Sequence, residues 1–293
     1  MHTKLQYILS LILIICSPQI IKAQKIDLVN VATYESDFLY PTDICGNDQG
    51  DVFVLDAMND RVVNISSSGQ VKIIQPQRGT IYKAVGIAWI SDQLWIADTP
   101  RSRLLRMDEK GRISQVIELD RGSEPVDLIG ISGYMAISDR LNHSITVLDE
   151  QGKEKFYWGK RGSKIGEFIN PGFLAVGPEN RLLVSDILNR RVLSFSASGR
   201  FPQIIAKPGV EEGQVFRPKG LGLDSESQVW IADGYTGSLQ AFSISGKYLG
   251  LAAAEGKALQ LSSPIGMWID EKDQIWVVES TANKVSVWQK NAK

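Results

Sequence analysis

The sequence predicts an all-β fold, a six-bladed β-propeller with its N-terminal strand closing the last blade, and three observations carry that expectation. A short apolar strand ending in an acidic residue recurs six times, at Asp56, Asp98, Asp139, Asp186, Asp233 and Glu279, 41 to 47 residues apart. Each copy has room for about four strands and contains no long amphipathic helix, which is the size of a propeller blade rather than of a helical repeat. The sixth copy stops at Val285-Ser286-Val287-Trp288, one strand short of the others, while the apolar segment at residues 26–31 precedes the first copy and has no blade of its own.

Taken from the front, residues 1–23 read as an export signal. Lys4 supplies positive charge, the apolar run from Tyr7 to Cys16 is broken only by Ser10, and Ala23 offers a small residue for cleavage before Gln24. The run is too short to span a bilayer. A lipoprotein is the competing reading, because Cys16 ends the run, but Ile15 stands where lipoprotein processing needs a small residue. The chain from residue 24 to 293 is then expected to form one large β domain in the periplasm or outside the cell, as a monomer. With cleavage only Cys45 is left, so no intramolecular disulfide can form, and the apolar Ile44-Cys45 pair makes a small buried hydrophobe of it.

Within each repeat the elements follow from local chemistry. Pro41, Pro125, Pro171, Pro218 and Pro264 precede short apolar strands, with Ala84 standing in the second copy, and a strand's first residue can do without its amide donor. The strand that ends in the acid comes next. Five residues after each acid, Arg61, Arg103, Ser144, Arg191, Ser238 and Lys284 open a further strand. Glycines at 69, 111, 152, 199 and 246 then reverse the chain. One blade is a small sheet with apolar residues on both faces, stable only when its neighbours cover them. Residues 26–31 are expected to supply the missing outer strand of the sixth blade, joining the termini and removing an open edge.

These residues carry a family resemblance. Phe38-x-x-Pro41 and Phe168-x-x-Pro171, the Asp-x-x-Asn of Asp56/Asn59, Asp139/Asn142 and Asp186/Asn189, and the Arg-Val of Arg61-Val62 and Arg191-Val192 resemble NHL repeats over essentially the whole chain beyond residue 23. The second copy replaces the Asn by Arg101, and the sixth shifts it to Asn283. The resemblance implies a six-bladed ring. It does not imply one function, since the family includes scaffolds, sensors, RNA binders and lyases.

For chemistry, the departures from the repeat count for more than the repeat. An acid in the same place in every copy argues for a turn that its carboxylate stabilises. Two residues after each Pro-equivalent stand Asp43, Gly86, Asp127, Phe173, Gly220 and Gly266, where NHL repeats usually have glycine. Asp43 and Asp127 are therefore expected at the mouth of the central channel, near Lys219, where two carboxylates could hold a hard cation such as Ca²⁺. His143 is the only histidine after residue 23, so a multi-histidine metal site cannot be built from that part of the chain. No Gly-x-Ser-x-Gly or phosphate loop occurs, and no catalytic residue is assigned.

The formal net charge of −1 gives no global attraction to nucleic acid or membrane. The turns expected on one face of the ring are nevertheless rich in arginine. The leading expectation is a non-enzymatic binding or scaffold propeller that engages an anionic protein, peptide or glycan through Arg101, Arg103, Arg140, Arg161, Arg190 and Arg191. The alternative is a metal-assisted hydrolase or lyase with its site at Asp43 and Asp127.

Overall fold

The structure, a computed structural model, describes residues 24–120 and 122–291. The export-signal and lipoprotein readings fall on residues 1–23 and lie outside the described residues. The fold is an all-β propeller, and among the described residues no helix is long and apolar enough to cross a membrane.

The first repeat shows how the sequence builds the unit. Its antiparallel strands are Pro41–Gly46, Val52–Asp56, Arg61–Ile65 and Val71–Ile74, running from the channel outward. All five residues of Val52–Asp56 are buried, because neighbouring repeats cover both faces of the sheet. Phe53 and Leu55 face the core shared with the second repeat, while Val52 and Val54 face the core shared with the sixth. The first residues of five inner strands are the expected prolines, whereas in the second repeat the strand starts at Gly86, two residues beyond Ala84. In the five Pro-led strands the ladder slips just past the proline, as a bulge does, and re-aims the side chains that follow toward the channel.

The six inner strands, Pro41–Gly46, Gly86–Ile90, Pro125–Ile131, Pro171–Gly177, Pro218–Leu223 and Pro264–Ile269, touch in that order, and the last meets the first. Ser280 Oγ donates to the Pro41 carbonyl, and Tyr40 N donates to Asn283 Oδ1 at 2.8 Å across this seam.

Hydrogen bonding does not divide the strands into six separate sheets. Repeats one to four form sheets of four, four, four and five strands, but repeats five and six share a nine-stranded sheet. The N-terminal strand, Lys25–Tyr34, causes this. From Leu28 onward it pairs antiparallel with Lys284–Lys290, as the missing outer strand should, with a bulge between Asn30 and Ala32. Its first residues, Lys25 to Asp27, instead pair in parallel with Leu251 to Ala253 of the fifth repeat. Gly250 permits that crossing, since a Cβ there would collide with the Gln24 carbonyl. Leu28 is 1 % exposed, between the fifth and sixth repeats.

Candidate functional site

The repeated acids hold the ring together. Asp56 Oδ1 accepts the Leu39 amide of the incoming connection, while Oδ2 accepts Asn59 Nδ2 and Arg61 Nε at 2.8 and 2.7 Å. The Arg61 guanidinium continues to the carbonyls of Ser36 and Asp37. Asp186, Asn189 and Arg191 repeat the clamp, with Arg191 reaching the Ser163, Lys164 and Glu167 carbonyls. Asp98 is half-served: Arg103 and Arg101 bind its Oδ2, but Oδ1 is buried with no partner among the described residues. The residue four places after the acid adopts left-handed backbone and ties some repeats to the next, as when Asp60 accepts the Lys83 amide at 2.8 Å. His143 belongs to this series and is half-buried; its Nδ1 accepts the Asn170 amide at 3.2 Å.

Asp43 and Asp127 lie in the wall of the channel rather than at its mouth, 4 % and 6 % exposed. They sit at one end of a cavity of about 290 Å³, which runs between the inner strands toward their hairpin ends at Gly46, Gly130 and Ile269. Each carboxylate is stitched to the following repeat. Asp43 Oδ2 accepts the Ile87 amide at 2.9 Å, and Asp127 Oδ2 accepts the Leu174 amide at 2.7 Å while its Oδ1 accepts the Leu128 amide. On the preceding side only glycine fits. A Cβ on Gly266 would come 2.5 Å from the Asp43 Cα, and one on Gly86 would collide with the Val126 carbonyl.

Burial pushes the Asp43 carboxyl well above the usual carboxylate range, and the charge of Asp127 adds to that. Burial likewise pushes Asp127 up to about 7, against the opposing pull of its two amide donors. The neighbouring Cys45 thiol is pushed up by its own burial and by both carboxylates, so it is a buried hydrophobe and not a thiolate nucleophile. Two carboxyls held above the ordinary carboxylate range in the wall of one cavity are the kind of groups that serve as acid and base.

The six arginines expected on the basic face are not paired alike. Arg103 and Arg191 bind Asp98 and Asp186 and loop carbonyls as clamp residues, and Arg191 is 7 % exposed. Arg101 is partly paired with Asp98 and lies over the Tyr82 ring. Arg190 is exposed and stacks on Phe216 at 4.1 Å, and Arg161 is exposed. Arg140 pairs with Glu124 and lines a second cavity of about 390 Å³ at the opposite end of the channel. Arg217 and Lys219 line the same cavity, and Phe173 lies in the wall of both cavities.

No protein-family model matches the sequence, and no curated protein matches it either. Solved structures do. A gluconolactonase from Xanthomonas campestris is 17 % identical with a TM-score of 0.68, over 90 % of this chain and 89 % of that one. A virginiamycin B lyase from Staphylococcus aureus is 16 % identical with a TM-score of 0.64, over 90 % and 98 %. A calcium-binding regucalcin from Agrobacterium tumefaciens is 15 % identical with a TM-score of 0.62, over 86 % and 90 %. What they share with this chain is the β-propeller fold. At such identities the likeness carries no residue of their sites across. Among the described residues no three His, Cys, Asp or Glu side chains come together as a metal cluster, so Asp43 and Asp127 are two donors without a third.

Proposed function

We propose that this chain is an exported six-bladed propeller enzyme, a hydrolase or lyase that opens an ester bond of a small molecule, with Asp43 and Asp127 as its acid–base pair. The observation that carries the reading is one pair of buried, mutually repelling carboxylates at the end of a cavity. Both carboxylates accept backbone amides of the next repeat, yet burial in the wall of one cavity keeps both carboxyls raised, and sites with such shifted groups are disproportionately catalytic. Counting the nine-stranded sheet as two blades bridged by Lys25–Tyr34 gives six, in keeping with the NHL resemblance.

The cavity walls are mostly apolar, with Ile44, Ile87, Leu128, Leu174, Met267 and Trp268 among them, which suits a small uncharged substrate. In hydrolysis the ionised acid takes a proton from water as the water oxygen bonds to the ester carbonyl carbon. The carbonyl carbon–oxygen bond then breaks, and the protonated acid gives its proton to the departing oxygen. Two carboxylates alone do not make a cation cage. The regucalcin neighbour makes Ca²⁺ the cation to test at this pair.

Purified protein is expected to turn over aryl acetates or small lactones, with ¹⁸O from labelled water in the product if the reaction is hydrolysis and without it if it is elimination. Asp127→Asn should lower kcat by about 10²-fold or more. A wild-type rate no greater than that of folded Asp43→Asn/Asp127→Asn, across the panel and with Ca²⁺ or chelator added, would overturn the proposal. A second reading, a monomeric binding propeller for an anionic protein, peptide or glycan, rests on Arg101, Arg140, Arg161 and Arg190, whose side chains retain solvent contact.

A further inference from the structure

The cavity on the far side of Phe173 has a different chemistry. Arg140, Arg217 and Lys219 line it together with Tyr40, Thr42 and Asn170, and Val85, Val126, Phe173 and Ile265 give it an apolar floor. Arg140 is paired with Glu124. Among the described residues the Arg217 guanidinium and the Lys219 ammonium have no hydrogen-bonding or ion-pairing partner. The position of Lys219 is not a matter of surface chance: it opens an inner strand, one residue after Pro218, with its stem packed at the channel mouth over Gly234. Burial lowers the basicity of Lys219, and the charges of Arg217 and Arg140 lower it further, with no carboxylate offsetting them.

We infer that Arg140, Arg217 and Lys219 form a binding site for a dianionic small molecule with an apolar body, seated in the channel mouth opposite the Asp43–Asp127 cavity. Three cations less the one carboxylate of Glu124 leave two positive charges, which a phosphate monoester or a dicarboxylate would neutralise. Two planar guanidiniums suit the paired oxygens of either group, and an ammonium in the same cavity acts as a point charge. The apolar floor rewards a hydrocarbon or aromatic body over a bare inorganic ion. Asp43 and Asp127 face the other cavity, so the inference stands or falls apart from the proposed ester chemistry.

The test is binding of phenyl phosphate and phthalate to the full chain, by calorimetry and by the shift in melting temperature, with benzamide as the neutral probe and inorganic sulfate as the bare anion. Phenyl phosphate or phthalate should saturate one site, weaken at least several-fold between low and physiological salt, and exceed sulfate in affinity by tenfold or more. Whichever of the two binds tighter names the head group. Arg217→Ala and Lys219→Met should each abolish measurable binding, whereas Arg200→Ala, at an exposed position outside the cavity, should leave it intact. Equal binding of benzamide, equal binding of sulfate, or unchanged binding in a folded Arg217→Ala/Lys219→Met protein would each overturn the inference.

Discussion

A carboxylic acid buried beside a second one keeps its proton to higher pH, and Asp43 and Asp127 turn that into a dependence of stability on pH. Both acids titrate near 4 in the unfolded chain, whereas folded Asp127 holds its proton to about 7 and Asp43 is shifted the same way. The native state therefore binds more protons between roughly pH 4 and pH 7, and stability falls as pH rises through that window. Asp186, raised by its burial, acts in the same direction. Asp108, Asp149 and Glu167 are held low by hydrogen bonds, so their stabilisation is present above pH 4 and is lost only below it. The melting temperature should be higher at pH 5 than at pH 8, and the gap should shrink in Asp127→Asn; equal melting temperatures for the wild type would refute this. The arginines divide in the same residue-by-residue way. Arg191→Ala leaves Asp186 buried and unpaired and should cost about 3–5 kcal/mol in denaturant unfolding. Arg161→Ala, at an exposed position, should change stability by no more than about 0.5 kcal/mol. The repeat leads one to expect all six arginines on one face, but it does not show which guanidiniums reach a carbonyl. That depends on the path of the preceding connection, such as the Ser163 to Glu167 loop around Arg191.

At the scale of elements, strand order and strand starts are legible because each rests on a local rule. The prolines mark five inner strands, and the position five residues past each acid opens the third strand in every repeat. The closing strand is legible in part. Its antiparallel pairing with Lys284–Lys290 follows from a missing outer strand, but its parallel pairing with Leu251 to Ala253 does not. That contact depends on how two adjacent repeats splay, and Lys25-Ile26-Asp27 carries no pattern that announces it. Tyr34 adds a stacked contact with Trp276, its ring centroid 5.7 Å away, at the other end of the same strand. Leu28→Ala should therefore cost about 2–5 kcal/mol, because the cavity it leaves opens between two repeats and neither can close it alone. A loss below about 1 kcal/mol by chemical denaturation would mean that the closing strand is ornamental.

For the whole molecule, the ring is foreseeable and the partition of its channel is not. Six copies of an acid-ended strand are enough to expect a closed propeller. Phe173, which stands where other repeats carry glycine or aspartate, lines both of the channel's cavities. Whether a ring of inward side chains leaves one bore or two depends on their sizes meeting in space, which spacing along a chain does not report. The result is a molecule with unlike ends, acids inside one and unpaired cations inside the other. A long cavity lined by both charges would have let them neutralise each other.

The closing strand also sets an order of events. It precedes the six repeats and its partner closes the sixth: Asp27 and Asn291, hydrogen-bonded to each other, are 264 residues apart. Contacts so distant in sequence carry a large loop-closure cost and slow the approach to the native state. Until Lys284–Lys290 exists, the ring cannot be sealed. Once it is sealed, no repeat can peel away without first parting this seam, so the lifetime of the folded protein is governed by the rate at which the two ends separate.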